Sequence, residues 1–126
     1  MQEISMSSNH RVLGNQGETY AIRYLSQHHY EIAETNWHCQ FGEIDIIAKQ
    51  KDIWVFVEVK TRRGSNLEKA FAAIQDRKKT RLLRSVHLYL SEHQLEEEQW
   101  RIDAIAIAIP GSGQFLIDHV EDALGW

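Results

Sequence analysis

An α/β domain, a central mixed β-sheet flanked by helices in the order αβββαββ, is the fold class this sequence predicts. Three observations carry it. Apolar residues recur at helical spacing in two stretches, about residues 13–28 and 67–91. Around them lie five extended segments, of which Ile53–Thr61 is rich in β-branched and aromatic residues. The chain has 126 residues, is 43% hydrophobic and 25% charged, and holds one proline, which suits one core-forming domain. A sheet covered by helices is the stable outcome of that order.

Residues 1–10 read as a loose tail ahead of a single domain over residues 11–126. Leu13, Gly17, Ala21, Tyr24 and Leu25 predict a first helix from about Leu13 to His28. Extended segments follow at about Tyr30–Trp37, Glu43–Lys49 and Ile53–Thr61. A second helix over about Leu67–Ser91 takes its stripe from Phe71, Ile74, Leu82, Val86 and Leu90. Trp100–Ile109 reads as a strand alternating apolar with polar residues. Pro110-Gly111-Ser112-Gly113 turns the chain into a last strand near Phe115–Val120.

The net charge of −4 argues against a generally basic nucleic-acid coat, but it is an average over two unlike parts. Residues 60–84 hold nine Lys or Arg against Glu68 and Asp76, a net +7; the other residues hold five against sixteen, a net −11. A compact positive field on an acidic body suits a polyanionic partner, and a solvated basic helix face is the plainer alternative. Cys39 is the only cysteine, so no internal disulfide or multi-cysteine zinc site can form. No secretory signal or run of about 20 apolar residues is present, which makes the cytoplasm the expected compartment and excludes a membrane partner.

The chemistry gathers in Gly42-Glu43-Ile44-Asp45 and Val57-Glu58-Val59-Lys60. Glu58 and Lys60 share a strand face. Placing Ile44, Ile46 and Ala48 with Ile53, Val55, Val57 and Val59 puts Asp45 on the face of Trp54, Phe56, Glu58 and Lys60. Two carboxylates within about 4.5–8 Å at their roots, beside a lysine, suit Mg²⁺ or Mn²⁺ chemistry on a phosphodiester. Lys60 would then orient or deprotonate the attacking water. A structural Glu58–Lys60 ion pair is the competing explanation. Against it, these charges interrupt an otherwise apolar strand, where they cost stability unless compensated or useful.

Asp45 with Glu58-Val59-Lys60 resembles the core motif of the PD-(D/E)XK, restriction-endonuclease-like nuclease superfamily. The longer pattern of Gly14, Gly17-Glu18, Ala21, Tyr24-Leu25, Asn36, Gly42 to Ala48, Val55 to Arg62, Arg77-Lys78, Arg81-Leu82, Tyr89-Leu90 and Arg101-Ile102-Asp103 resembles the YraN-like family of uncharacterised bacterial proteins (UPF0102). The resemblance spans about residues 14–107. It implies a restriction-endonuclease-like fold similar to Holliday-junction resolvases, hence a metal-dependent nuclease acting on DNA, branched DNA included, and by analogy a homodimer. It also implies that Glu18, at the position of a helix-1 glutamate in those enzymes, joins the metal site. The chain departs from the pattern at His38-Cys39-Gln40, where an arginine is usual, and at Ser65-Asn66-Leu67, where a glycine is usual.

The expected set is therefore Asp45, Glu58, Lys60 and Glu18 for catalysis, with Asp45, Glu58, Glu18 and the Val59 carbonyl at the metal. Arg62, Arg63, Gln75, Lys78, Lys79, Arg81 and Arg84 would grip the nucleic acid. Lys78 lies four residues from both Ile74 and Leu82, on the inward stripe, where it either reaches a phosphate or snorkels to solvent. Gly14 and Gly17 would let the first helix approach closely. Trp37, Trp54 and Trp100 read as core, and Glu96-Glu97-Glu98 as a solvated turn. A non-catalytic nucleic-acid-binding module on the same fold is the alternative, and a domain docking an acidic protein a third.

Overall fold

Five strands form one sheet in sequential order, and its mixed character follows from one crossover. The computed structural model describes residues 6–64, 76–111 and 114–123. Their elements are α1 (Met6–Gln27), β1 (Glu31–Cys39), β2 (Gly42–Gln50), β3 (Ile53–Arg63), α2 (Asp76–Glu92), β4 (Trp100–Ile109) and β5 (Leu116–Val120). β1, β2 and β3 form an antiparallel meander, β3 and β4 pair in parallel, and β4 and β5 pair antiparallel. A parallel neighbour needs a long return path, which the segment containing α2 supplies.

The order matches the sequence expectation, while some boundaries move. α1 starts at Met6, seven residues before the first apolar position of its stripe. Residues 1–5 of the expected tail, the Leu67–Gln75 part of the second helix and Ser112–Gly113 lie outside the described residues.

The helices cover opposite faces. α1 packs Ala21 and Leu25 against Ile46, Ala48, Val55, Val57, Val59, Ile105 and Ile107. α2 packs Leu82, Val86, Tyr89 and Leu90 against Ile44, Ile47, Phe56 and Ile102, with Trp37, Trp54 and Trp100 at the margin. The three tryptophans are thus packing residues, and Glu96–Glu98 are exposed. Strand β4 corrects the expected apolar–polar alternation. Residues 102–108 are all buried, because a central strand between two helical layers has no wet face. What alternates there is large isoleucine with small alanine.

The face assignment of β2 needs a second correction. Ile44 sits in the α2-side cluster, whereas Ile46 and Ala48 sit in the α1-side cluster. Asn36 explains it. This residue has φ +53° and lies between Thr35 and Trp37, which pair with Ile46 and Ile44. A left-handed residue, tolerated by asparagine, turns both strands at the level of Asp45. The β2–β3 ladder ends at the same level, at Ile46–Val57. Beyond it the two strands part, and the chemistry sits in the opening. Among the described residues, no helix is long and apolar enough to cross a membrane.

Candidate functional site

Asp45 occupies the fork between β2 and β3. The residue is 9% exposed, and Oδ2 accepts the Val59 N–H at 2.8 Å. The carboxylate thereby replaces the ladder partner that β3 loses where the strands separate. A strand residue directs its N–H and C=O to the same flank, so the Val59 carbonyl also faces the fork. Glu58 is hydrogen-bonded to Asp45, carboxyl to carboxyl.

That contact is possible only with a proton between the groups or a cation beside them. Burial raises the Asp45 proton affinity, with the Val59 N–H opposing. Burial also raises Glu58, and the Asp45 charge raises it further against the pull of Lys78 and Lys60.

Gly17 delivers the third carboxylate. A Cβ at this position would overlap the Thr61 side chain, so only glycine lets α1 lie this close to β3. Gly14, expected to serve the same purpose, has open space around it. The next residue, Glu18, is pushed up to about 7, chiefly by burial and then by the Asp45 and Glu43 charges, with an Asn36 hydrogen bond opposing. Its Oε1 is buried and has no hydrogen-bond partner. Asn36 thus has two roles, turning the strands and holding Glu18. The signal for it was an asparagine inside a strand, a residue type depleted there.

Lys60 is lowered to about 8, first by burial and then by a hydrogen bond and charge from Lys78, with Arg62 adding to the repulsion. Lys78 is exposed yet reaches this centre across the mouth of a cavity of about 500 Å³. That cavity is lined by Asp45, Glu58, Lys78, Arg81, Ser85, Cys39 and Phe41 among others. A second, of about 780 Å³, is lined by Gly14, Glu18, Asp45, Val59, Lys60, Thr61, Arg62 and Arg63. Asp45 is common to both, so the fork opens on either side of the parted strands.

The expected residues therefore fall into groups. Asp45, Glu58, Val59, Lys60 and Glu18 meet at the fork. Lys78 and Arg81 line one cavity and Arg62 and Arg63 the other. Arg84 lies over the ring of Phe41 at 5.9 Å, beside the first cavity. Lys79 is not among the residues lining either, and Gln75 is outside the described residues.

The donors suit a hard divalent cation. Two touching carboxylates, a carbonyl on the same flank and an unpartnered Glu18 oxygen are oxygen ligands with excess negative charge. Among the described residues, no three His, Cys, Asp or Glu side chains are placed to hold one ion directly. Asp45 and Glu58 are thus the direct candidates, and Glu18 lines the same fork cavity as Asp45. Mg²⁺ commonly takes only one or two carboxylates and fills its octahedron with water and phosphate oxygens.

A second polar cluster gave no signal in the sequence. Asp103 is fully buried and accepts Arg101 Nε at 2.9 Å, His119 Nε2 at 2.7 Å and the Asp122 N–H at 3.0 Å. With its proton on Nε2, His119 accepts the Tyr24 hydroxyl at Nδ1, 3.1 Å away. Arg101 Nη2 donates to the Tyr30 hydroxyl at 2.8 Å. Burial alone would raise Asp103, but the hydrogen bonds from His119, Arg101 and Asp122 hold it below the usual carboxylate range. The cluster ties α1, β4, β5 and the turn after β5 together, and its satisfied bonds mark it as structural.

Comparison with known proteins follows the same stretch of chain. A family model described as "Uncharacterised protein family UPF0102" matches residues 17–107. A protein of Roseiflexus castenholzii, named only as a UPF0102 protein, is 38% identical, with 94% of this chain and 98% of the relative aligned. One from Chloroflexus aurantiacus is 40% identical over 95% of this chain and 98% of its own length. One from Rhodococcus opacus is 40% identical over 88% and 94%.

Proposed function

The chain belongs to the uncharacterised protein family UPF0102, and from its fork site we propose that it is a metal-dependent nuclease of the restriction-endonuclease-like type, hydrolysing phosphodiester bonds in DNA. The observation that carries this reading is the Asp45–Glu58 contact beside Lys60. Burial raises the proton affinity of both carboxylates and the Asp45 charge raises that of Glu58 further, so holding the ionised pair together destabilises the fold, a cost that a bound cation offsets.

A bound Mg²⁺ or Mn²⁺ supplies Lewis-acid polarisation of a phosphoryl oxygen and a more acidic water. The chain supplies the rest. Asp45 is locked by the Val59 N–H, so its second oxygen is oriented before any ligand arrives. Lys60, near 8, is partly neutral at physiological pH and able to take a proton from the attacking water at Nζ. Burial and then the proximity of Lys78 keep it so, and Lys78 places a second cationic side chain beside the transition state. Arg62, Arg63 and Arg81 supply the phosphate grip on the two sides of the fork, positioning without reading sequence.

The test is a cleavage panel of junction, flap, nicked, linear and single-stranded DNA and RNA, with Mg²⁺ or Mn²⁺ and with chelator. Cleavage of at least one DNA substrate that is lost with chelator, Asp45→Asn and Lys60→Met is the expected result. No cleavage of any substrate contradicts it. The basic cavity rims also favour a second reading, a binding module without chemistry. That reading predicts salt-sensitive DNA affinity unchanged by metal and by both substitutions.

A further inference from the structure

A third cavity, on the face of α1 next to the fork, is built from unlike parts. Its volume is about 630 Å³. Asn15, Gln16 and Gln114 place three side-chain amides around it, and Arg23 adds a guanidinium. Tyr20 and Phe115 form an aromatic pair in its wall, ring centroids 4.7 Å apart and tilted by 52°. No carboxylate is among the described residues that line it.

We propose that this cavity is a nucleobase subsite, which takes an unpaired base of the strand whose phosphate lies at the fork. The inference rests on the nuclease reading for that phosphate and goes beyond it in assigning the neighbouring nucleotide. Three features argue for a base. An aromatic wall stacks any base, because every base has a π-face. Side-chain amides present a donor and an acceptor together, the pattern that pairs with base edges. A guanidinium without a lining carboxylate favours an anionic chain. Position supports the same occupant. Gly14 and Glu18 line the fork cavity, while Asn15, Gln16 and Arg23 line this one from the same helix. Glu18 and Arg23 are five residues apart, roughly 7–8 Å along the axis. A strand leaving Arg62 and Arg63 along α1 meets this cavity next. A duplex buries its bases in the stack, so the subsite selects frayed, flapped or single-stranded DNA.

The full chain is tested by fluorescence anisotropy in chelator, with two 12-nucleotide single strands of equal charge, one of thymidines and one wholly abasic. The wild type is expected to prefer the thymidine strand roughly five- to hundredfold, the range of one or two stacked bases. Gln16→Ala, Arg23→Ala and Tyr20→Leu should shrink that ratio toward one. Because Tyr20 also touches the core, a 5-iodouridine strand is photocrosslinked in parallel, and adducts at Tyr20 or Phe115 are expected. Equal affinity for the two strands, no binding of either, a ratio unmoved by the substitutions, or adducts confined to other residues overturns the subsite. Metal-dependent cleavage is scored separately on the same preparation. Cleavage without base preference defeats the subsite alone, and base preference without cleavage defeats the nuclease alone.

Discussion

Glu58 shows how a site residue reveals itself through stability. Its carboxyl binds a proton more tightly in the folded chain than the usual 4.5, because of burial and then the Asp45 charge. Below pH 4.5 the group is protonated in both folded and unfolded states and costs nothing. As pH rises past 4.5 the unfolded chain ionises first, so stability falls until the folded group also ionises. Glu58→Gln should therefore leave Tm unchanged near pH 4 and raise stability by about 1–3 kcal/mol at pH 8. Thermal melts at the two pH values in chelator check this, and a loss of stability at pH 8 contradicts it. Gly17 gives the second residue-scale prediction. Gly17→Ala places a methyl on Thr61 and should cost about 1–3 kcal/mol, whereas Gly14→Ala, in open space, should be neutral or slightly stabilising by helix propensity. Urea unfolding of the two variants separates them. The sequence marked both glycines alike, since periodicity cannot say which one meets a strand.

At the scale of elements, the buried cluster around Asp103 predicts a large effect far from the chemistry. Replacing Asp103 by alanine strands Arg101 and His119 and frees the turn at Asp122, for a loss of about 3–5 kcal/mol. Because its bonds hold Asp103 below the usual value, the stability it confers is present at neutral pH and lost as pH falls below about 4. Urea titrations of wild type and Asp103→Ala at pH 7 and pH 3 measure both. A loss under 1 kcal/mol at pH 7 contradicts the assignment. The strand pattern around the site was readable in β3, whose Val55, Val57 and Val59 face α1 and whose Phe56 faces α2, as their alternation requires. It was misread in β2, because alternation assumes an unbroken pleat and Asn36 breaks it from the neighbouring strand. His119 was invisible for a related reason: its partners, Asp103 and Tyr24, are 16 and 95 residues away, and only the fold brings them together.

For the molecule as a whole, the −4 charge is the least informative number in the sequence. The acids Asp45, Glu58 and Glu18 are drawn into one fork, and Arg62, Arg63, Lys78 and Arg81 stand at its two mouths. That segregation was legible as a +7 segment beside an acidic remainder. Its geometry was not, since the carboxylates converge only because β2 and β3 part after Ile46–Val57. A substrate gripped mainly through phosphates should lose affinity steeply with salt, and Arg62→Ala or Arg81→Ala should each flatten the slope by about one phosphate contact. Anisotropy titrations from 50 to 200 mM salt check this, and a slope unchanged by both substitutions contradicts it.

The central claim is that the Asp45–Glu58 pair is a divalent-cation site, and the direct measurement is Mn²⁺ binding followed by electron paramagnetic resonance. One site per chain is predicted, tightening from pH 6 to pH 8 as the carboxyls lose their shared proton. Affinity should fall at least about tenfold in Asp45→Asn and in Glu58→Gln, and less in Glu18→Gln. Absence of binding, or binding that survives both of the first two substitutions, would contradict the account.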